Sequence, residues 1–417
     1  MLADLGNIFW IVLLVAQVIL AVILVYYFII GIFGWFRRKE LPAESFKPVN
    51  RFAVLVAAHN EEKVVGSIVK NLNKLNYPRN MYDVFVIADN CSDKTAKIAQ
   101  ENGAKTLERF DETKKGKGFS LEWAFKKLFK MDTKYDAVCI FDADNLASSN
   151  FLMEMNKELC LGNKVIQGYL DSKNPGDSWI SGNYSMTYWI SNRIFQLPRH
   201  YLGLNCALGG TGFVMSMDVL KEIGWEATCL TEDLEFSLRL VLKNMRVSWS
   251  HNAKVYDEKP LKLKQSWRQR TRWMQGHCDC AGRYLKSLFV KAFKDKDFRA
   301  FDCGLYLMQP FITIANGVVG LFSIIMMIIL NNITAFTIIS SLVSGAALLL
   351  FSLIFITAEG KFKLKVIKYF ILFPIYGLTW IPISIQGFFN RNKREWLHTI
   401  HTRAIDISDI EGLEKVS

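Results

Sequence analysis

Val138-Cys139-Ile140-Phe141-Asp142-Ala143-Asp144 decides the fold. Four apolar residues, β-branched and aromatic among them, favour a short buried strand. The strand runs out into two carboxylates. Asp142 and Asp144 are two residues apart, so a strand that persists through both points them to one face. Two like charges on one face repel unless a cation lies between them. Carboxylate oxygens suit Mg²⁺ or Mn²⁺, ions that also hold substrate phosphates. The competing reading is a loop in which two acids meet water, and the neighbours along the chain must decide between the two.

Upstream, Phe52–Ala57 reads as a strand followed by His59, Asn60, Glu61 and Glu62, then by a helical pattern from Lys63 to Leu75. Tyr82–Ala88 is the next strand, ending in Asp89, and a further helix follows. A Lys/Gly-rich loop over 114–118 precedes a helix from Phe119 and then the Asp142 strand. Strand–helix alternation predicts a mostly parallel, doubly wound sheet with its ligand at the carboxyl ends of the strands. His59, Asp89 and Asp142 all fall at such ends. No G-x-G-x-x-G follows the first strand, which argues against a dinucleotide dehydrogenase.

The soluble stretch, about 50–295, is flanked by apolar ones. Residues 5–36 carry no charge, and Ile8–Phe33 is long enough to cross a bilayer. Arg37, Arg38 and Lys39 follow it, which predicts cytoplasm on that side. No charge occurs between Asp302 and Glu359, room for two spans with Asn331-Asn332 as the turn. A third run, 369–390, is broken by Pro374 and Pro382. It has lysines before it and Arg391, Lys393 and Arg394 after it, so a simple span breaks the positive-inside rule and a bent or re-entrant segment satisfies it. The net charge of +12 therefore fits a cytoplasmic membrane surface, with no nucleic-acid partner. The 8 cysteines are scattered and read as reduced.

Two further stretches carry chemistry. Thr231-Glu232-Asp233 opens a run of helical spacing, with Thr231 as N-cap and the helix dipole expected to keep Asp233 ionised. An ionised, positioned carboxylate can take a proton from an attacking hydroxyl. Gln269, Arg272 and Trp273 lie in a basic, tryptophan-bearing helix. Arginine forks suit phosphates and tryptophan faces suit sugars, although the same helix fits a lipid interface.

Asp142-x-Asp144, Thr231-Glu232-Asp233 and Gln269-x-x-Arg272-Trp273, in this order and between membrane spans, resemble the processive family 2 membrane glycosyltransferases, among them cellulose, hyaluronan, chitin and poly-N-acetylglucosamine synthases. The resemblance implies an α/β GT-A catalytic domain, Rossmann-like, with an α-helical transmembrane region, an inverting mechanism, a UDP-sugar donor, and Mg²⁺ or Mn²⁺. It implies that His59 and Glu61 contact the nucleotide, that Asp89 binds uracil, and that Lys117 is the basic residue after that loop. The family usually has Tyr at His59, and its Asp-Asp pair is Ala88-Asp89 here. Asp142 and Asp144 match the donor-phosphate and metal site. Asp233 matches the general base, with Glu232 the next candidate. Gln269 and Arg272 match contacts to the diphosphate, Trp273 the platform under the acceptor sugar, and Gly209-Gly210-Thr211 a small-residue loop near the acceptor.

These implications divide the chain into an N-terminal membrane helix (1–40), a cytoplasmic catalytic domain (41–260), interface helices (261–300), a C-terminal membrane region (301–390) and a tail (391–417). The expected protein is a multi-pass enzyme of the plasma membrane that extends a growing polysaccharide, a β-glucan from UDP-glucose ahead of a polymer from UDP-N-acetylglucosamine. Its rivals are a non-processive lipid-phosphate transferase and an inactive membrane scaffold. Four apolar segments are few for a polysaccharide channel, which leaves room for a homo-oligomer or a partner subunit in the lipid bilayer.

Overall fold

Strands buried on both faces read as continuous apolar runs, because helices cover each side of the sheet. β1 (Phe52–Ala58), β2 (Tyr82–Asp89) and β4 (Ala137–Asp142) have this character, and nearly every residue in them is buried. The computed structural model describes residues 2–329, 334–393 and 403–410. The expected turn at Asn331-Asn332, and Arg394, lie outside the described residues.

The helices α2 (Val65–Leu72), α3 (Thr95–Glu101) and α4 (Lys117–Leu128) connect β1, β2, β3 (Lys105–Arg109) and β4 in parallel. Beyond β4 come β5 (Leu146–Ala147), α5 (Phe151–Cys160), β6 (Val165–Ser172), α6 (Trp179–Ser191), α7 (Leu197–Tyr201), β7 (Phe213–Ser216), α8 (Met217–Ile223), α9 (Glu232–Leu242) and β8 (Ser248–Asp257). The strand order is β3-β2-β1-β4-β7-β6-β8-β5. β7 runs antiparallel to both β4 and β6, and β5 antiparallel to β8, while the remaining pairings are parallel, so the sheet is mixed but most of its strands share one direction. β4 stops at Asp142. Asp144 sits in the turn that follows, where Asn145 N donates to the Asp142 carbonyl at 3.1 Å. Strand alternation therefore does not set the relation of the two carboxylates.

Among the described residues, four stretches are long and apolar enough to cross a membrane: Trp10–Ile32, Gln309–Ile329, Ile338–Ala358 and Leu364–Phe389. The first belongs to α1 (Leu2–Ile32). It is fixed to the catalytic body through Tyr26, whose hydroxyl donates to Asp302 Oδ1 at 2.8 Å. Asp302 also takes a two-pronged pair from Arg199 at 2.8 and 2.9 Å. Breaking one partner of such a buried pair costs about 3–5 kcal/mol, so this junction holds helix and body together. α10 (Leu263–Lys294) and α11 (Phe298–Leu307) lead into α12 (Gln309–Ile329) and α13 (Ala335–Ala358).

Leu364–Phe389 is not one helix. It consists of α14 (Leu364–Ile367), a 3₁₀ turn, α15 (Phe373–Leu378) and α16 (Trp380–Phe389). Both of its flanks are tied to the catalytic body. Before it, Glu359 pairs with Arg193 at 3.0 Å and His251 at 3.2 Å, and Lys361 pairs with Asp171 at 2.7 Å. After it, Arg403 donates its backbone N–H to Glu258 at 3.1 Å and pairs with Asp177. Ile405, Ile407 and Ile410 then pack on Leu146 and Tyr256.

Candidate active site

Parallel strands deliver the residues at their carboxyl ends to one edge of the sheet. That edge opens into a cavity of about 550 Å³. His59 and Glu61 follow β1, Asp89 ends β2, Lys117 starts α4, and Asp142 and Asp144 follow β4. All six line the cavity, together with Gly210, Thr211, Glu232, Asp233, Gln269, Arg272 and Trp273. Every site residue singled out from the sequence thus meets in one place.

One end of the cavity is charged. Asp89 takes a 2.5 Å pair from Arg109, both side chains being buried, and His59 Nδ1 lies 2.7 Å from the Asp89 carbonyl oxygen. Burial still raises the Asp89 carboxyl, the guanidinium notwithstanding. Lys117 Nζ pairs with Asp142 and donates to the Gly210 carbonyl at 2.6 Å. The Asp142 N–H donates to Thr211 Oγ1 and Asn145 Oδ1, each at 3.0 Å. Thr211 therefore braces the carboxylate turn. Asp144 accepts from the Glu258 N–H at 3.0 Å.

Among the described residues, no cluster of three or more His, Cys, Asp or Glu stands ready as a metal cage. The donor set nevertheless fits a hard cation. Asp257, at the end of β8, is pushed up to about 6, first by burial and then, against the pull of Lys259, by the charges of Asp144 and Asp142. The edge thus carries surplus negative charge of oxygen type, which suits Mg²⁺ or Mn²⁺ on Asp142 and Asp144.

Thr231 caps α9 as expected from its place in the sequence, though without a side-chain cap bond. Asp233 Oδ1 accepts the Leu234 N–H at 2.8 Å. The expected dipole effect does not win. Burial raises the Asp233 carboxyl, and burial plus the Asp233 charge push Glu232 up to about 7, while Lys117 and Arg272 pull both down. Both acids are thus held above the usual carboxylate range, which makes each a stronger base than a free carboxylate. Gly210 has φ +77°, a left-handed value that favours glycine, and a Cβ there would stand 3.4 Å from Asp233 Oδ2.

The other end is aromatic. Tyr184 donates to Gln269 at 2.6 Å, stacks with Tyr188 at 5.7 Å and meets Trp273 edge-on at 6.0 Å. Lys259 lies 3.6 Å over the Tyr188 ring and 2.7 Å from Asp257. Arg270 turns the opposite way from Arg272. It sits between Tyr376 and Trp380 and donates to Thr379 at 2.8 Å, locking α10 to the broken segment. Tyr306, Gln309, Tyr376 and Trp380 complete the wall. Sequence reasoning passed over Asp257, Lys259, Tyr184 and Tyr188. The charge cluster closing β8 was a usable signal for the first two; the tyrosines lie in an aromatic helix without a motif.

A sheet with this cavity at its carboxyl edge, acids at the strand ends and a carboxylate at a helix start is that of a GT-A glycosyltransferase. Residues 48–276 match the family described as "Glycosyltransferase like family 2", and the chain belongs to that family. It is similar to beta-monoglucosyldiacylglycerol synthase of Trichormus variabilis, 30% identical over 237 residues, 54% of this chain and 48% of that one. It is also similar to poly-beta-1,6-N-acetyl-D-glucosamine synthase of Staphylococcus epidermidis, 24% identical over 60% of this chain and 62% of that one. The matched region thus spans about half to three fifths of these relatives' length. In fold it resembles the mannosyltransferase PcManGT from Pyrobaculum calidifontis, solved with GDP-Man and Mn²⁺, with a TM-score of 0.57, 16% identity, and coverage of 88% of this chain and 99% of that one.

Proposed function

We propose that this protein transfers a hexosyl group, with inversion, from a UDP-sugar to a hydroxyl of a membrane lipid such as diacylglycerol. The observation that carries this reading is the cavity itself, which runs from Asp142 and Asp144 to Tyr306, Gln309, Tyr376 and Trp380 on the elements that adjoin the membrane. A donor bound at the charged end meets an acceptor arriving from the lipid side. The acceptor oxygen attacks the anomeric carbon, Asp233 takes its proton, and UDP leaves with its diphosphate beside Arg272 and Lys117. A divalent ion on Asp142 and Asp144 supplies charge neutralisation for that diphosphate. The name of the cyanobacterial relative supports a lipid acceptor and a glucosyl donor.

The membrane helices also bear on the acceptor. Leu24, Leu321 and Leu342 are 65%, 59% and 68% exposed, so these faces of the described spans point outward, as lipid-facing side chains do. The two ties flanking Leu364–Phe389 favour a re-entrant course for that segment, with the catalytic body and both flanks on the cytoplasmic side of the plasma membrane. The second reading, polymer synthesis, draws on the Gln269, Arg272 and Trp273 set and on the staphylococcal relative. An inactive scaffold is disfavoured by the intact carboxylates.

Purified protein in nanodiscs, given radiolabelled UDP-glucose or UDP-N-acetylglucosamine with and without dioleoylglycerol, separates these readings. The proposal expects a chloroform-soluble monoglycosyl product that depends on the lipid. A water-insoluble or high-mass polymer formed without it contradicts the proposal and favours the second reading.

A further inference from the structure

One cavity residue has no part in the chemistry above. His277 lies one helical turn beyond Trp273 on α10, so the two share a face, and both line the cavity. His277 is 7% exposed, and its Nε2 is enclosed without a hydrogen-bond partner among the described residues. On the same helix Gln269 is engaged by Tyr184 and Gln275 by the Asn390 carbonyl, while Arg270 uses one nitrogen on Thr379 and leaves another enclosed without a partner among the described residues, as do Ser266 Oγ and Arg272 Nε. An enclosed nitrogen without a partner carries the full desolvation cost of that group, and a phenylalanine would fill the space without it. Burial pushes the imidazole down to about 4, so at neutral pH it is uncharged, with one nitrogen donating and the other accepting. Its ring meets Tyr306 edge-on at 5.1 Å, and the Tyr306 hydroxyl is raised first by burial and then by the charge of Asp233. His277 therefore stands at the acceptor side of the base, between Trp273 and the membrane elements.

We propose that His277 Nε2 hydrogen-bonds a hydroxyl of the acceptor and so selects which hydroxyl reaches Asp233. This assignment rests on the reading that an acceptor enters from the membrane end. His277 is a positioning and specificity-determining residue here; it exchanges no proton with the reacting atoms.

The test compares His277→Gln with His277→Met in nanodiscs. The two replacements have similar volume and flexibility and differ in hydrogen bonding. Dioleoylglycerol and cellotetraose are the acceptor probes, with UDP affinity as the control for folding. Acceptor binding is read by quenching of tryptophan fluorescence in saturating UDP, and transfer by KM and kcat. The expected result is unchanged UDP affinity, near-native acceptor KM for Gln, and a KM about tenfold higher for Met, the usual worth of one hydrogen bond, with kcat changed less. Equal values for Gln and Met overturn the assignment, whether both match the native protein, as a site filled only by water predicts, or both are equally impaired, as a packing role predicts. If the native protein binds a probe and transfers to neither, the proposed function falls while the Gln-to-Met ratio of binding constants still decides His277. If neither probe binds, both proposals fall.

Discussion

Gly276→Ala places a methyl group where two catalytic elements touch. A Cβ at Gly276 on α10 stands 2.2 Å from Thr231 Oγ1 and 2.5 Å from Thr231 Cγ2, whereas ordinary contact begins at 3.4 Å. Helix α10 and the start of α9 must therefore part by about 1 Å. Glu232 and Asp233 lie on one side of that seam; Gln269, Arg272 and Trp273 lie on the other. Misplacing reacting groups by about 1 Å costs about 100-fold in rate. Overpacking costs about 1–3 kcal/mol of stability, but alanine returns close to 1 kcal/mol of helix propensity over glycine. Activity should thus fall about 100-fold with a net loss of stability of about 0–2 kcal/mol. The assay is kcat for transfer beside the thermal midpoint in detergent. Adding Thr231→Gly removes the clashing atoms, and the double variant should recover most of the lost rate. Thr231 makes no side-chain cap bond, so its own loss is minor. A single variant within threefold of native kcat, or a double variant no better than the single, refutes the packing argument.

Excess EDTA should abolish transfer and Mg²⁺ or Mn²⁺ should restore it, with Asp144→Ala behaving like chelation; full turnover in chelator contradicts the metal assignment. The pH–rate profile should have an acid limb above the usual carboxylate range, because the base must be ionised and burial raises both Asp233 and Glu232. Rate should fall about tenfold per unit below that limb, and a flat profile down to pH 5 contradicts this reading. In a background without native cysteines, single cysteines at Ser45, Lys105, Lys363 and Asn392 should resist an impermeant thiol reagent in intact cells and label after lysis. Labelling of Asn392 alone before lysis would make Leu364–Phe389 a simple span.

The half of the sheet around β1, β2 and β4 was legible because each strand is a buried apolar run and each ends in a polar residue at the same edge. The helix start at Thr231 was legible from local spacing. What local pattern does not encode is pairing at a distance. The antiparallel insertion of β7 brings the preceding Thr211 to Asp142, and β8 brings Glu258, just past its end, to Asp144 across more than a hundred residues. The sequence reading left open whether the strand persists through Asp142 and Asp144 or gives way to a loop, and the backbone turns between them. It took the helix dipole as decisive for Asp233, whereas burial beside Glu232 outweighs it. Tyr184, Tyr188 and His277 resemble ordinary core residues until the cavity is seen, since only three-dimensional placement separates a packed ring from a lining one. The prolines and flanking charges of Leu364–Phe389 left its course open; the structure breaks it into three short helices and a 3₁₀ turn and ties both flanks to the catalytic body at Glu359, Lys361 and Arg403.

Asp233→Asn tests the central claim, that a carboxylate base faces a separately held donor. The substitution keeps size and hydrogen bonding and removes proton-accepting power. UDP affinity, measured by titration, should stay within about twofold, because the charged end around Asp89, Lys117 and Asp142, where we propose that the nucleotide binds, is untouched. Transfer in saturating donor and acceptor should fall by about two to four orders of magnitude. Loss of UDP binding with turnover reduced only in proportion to occupancy would make Asp233 a binding residue and move the base to Glu232 or elsewhere.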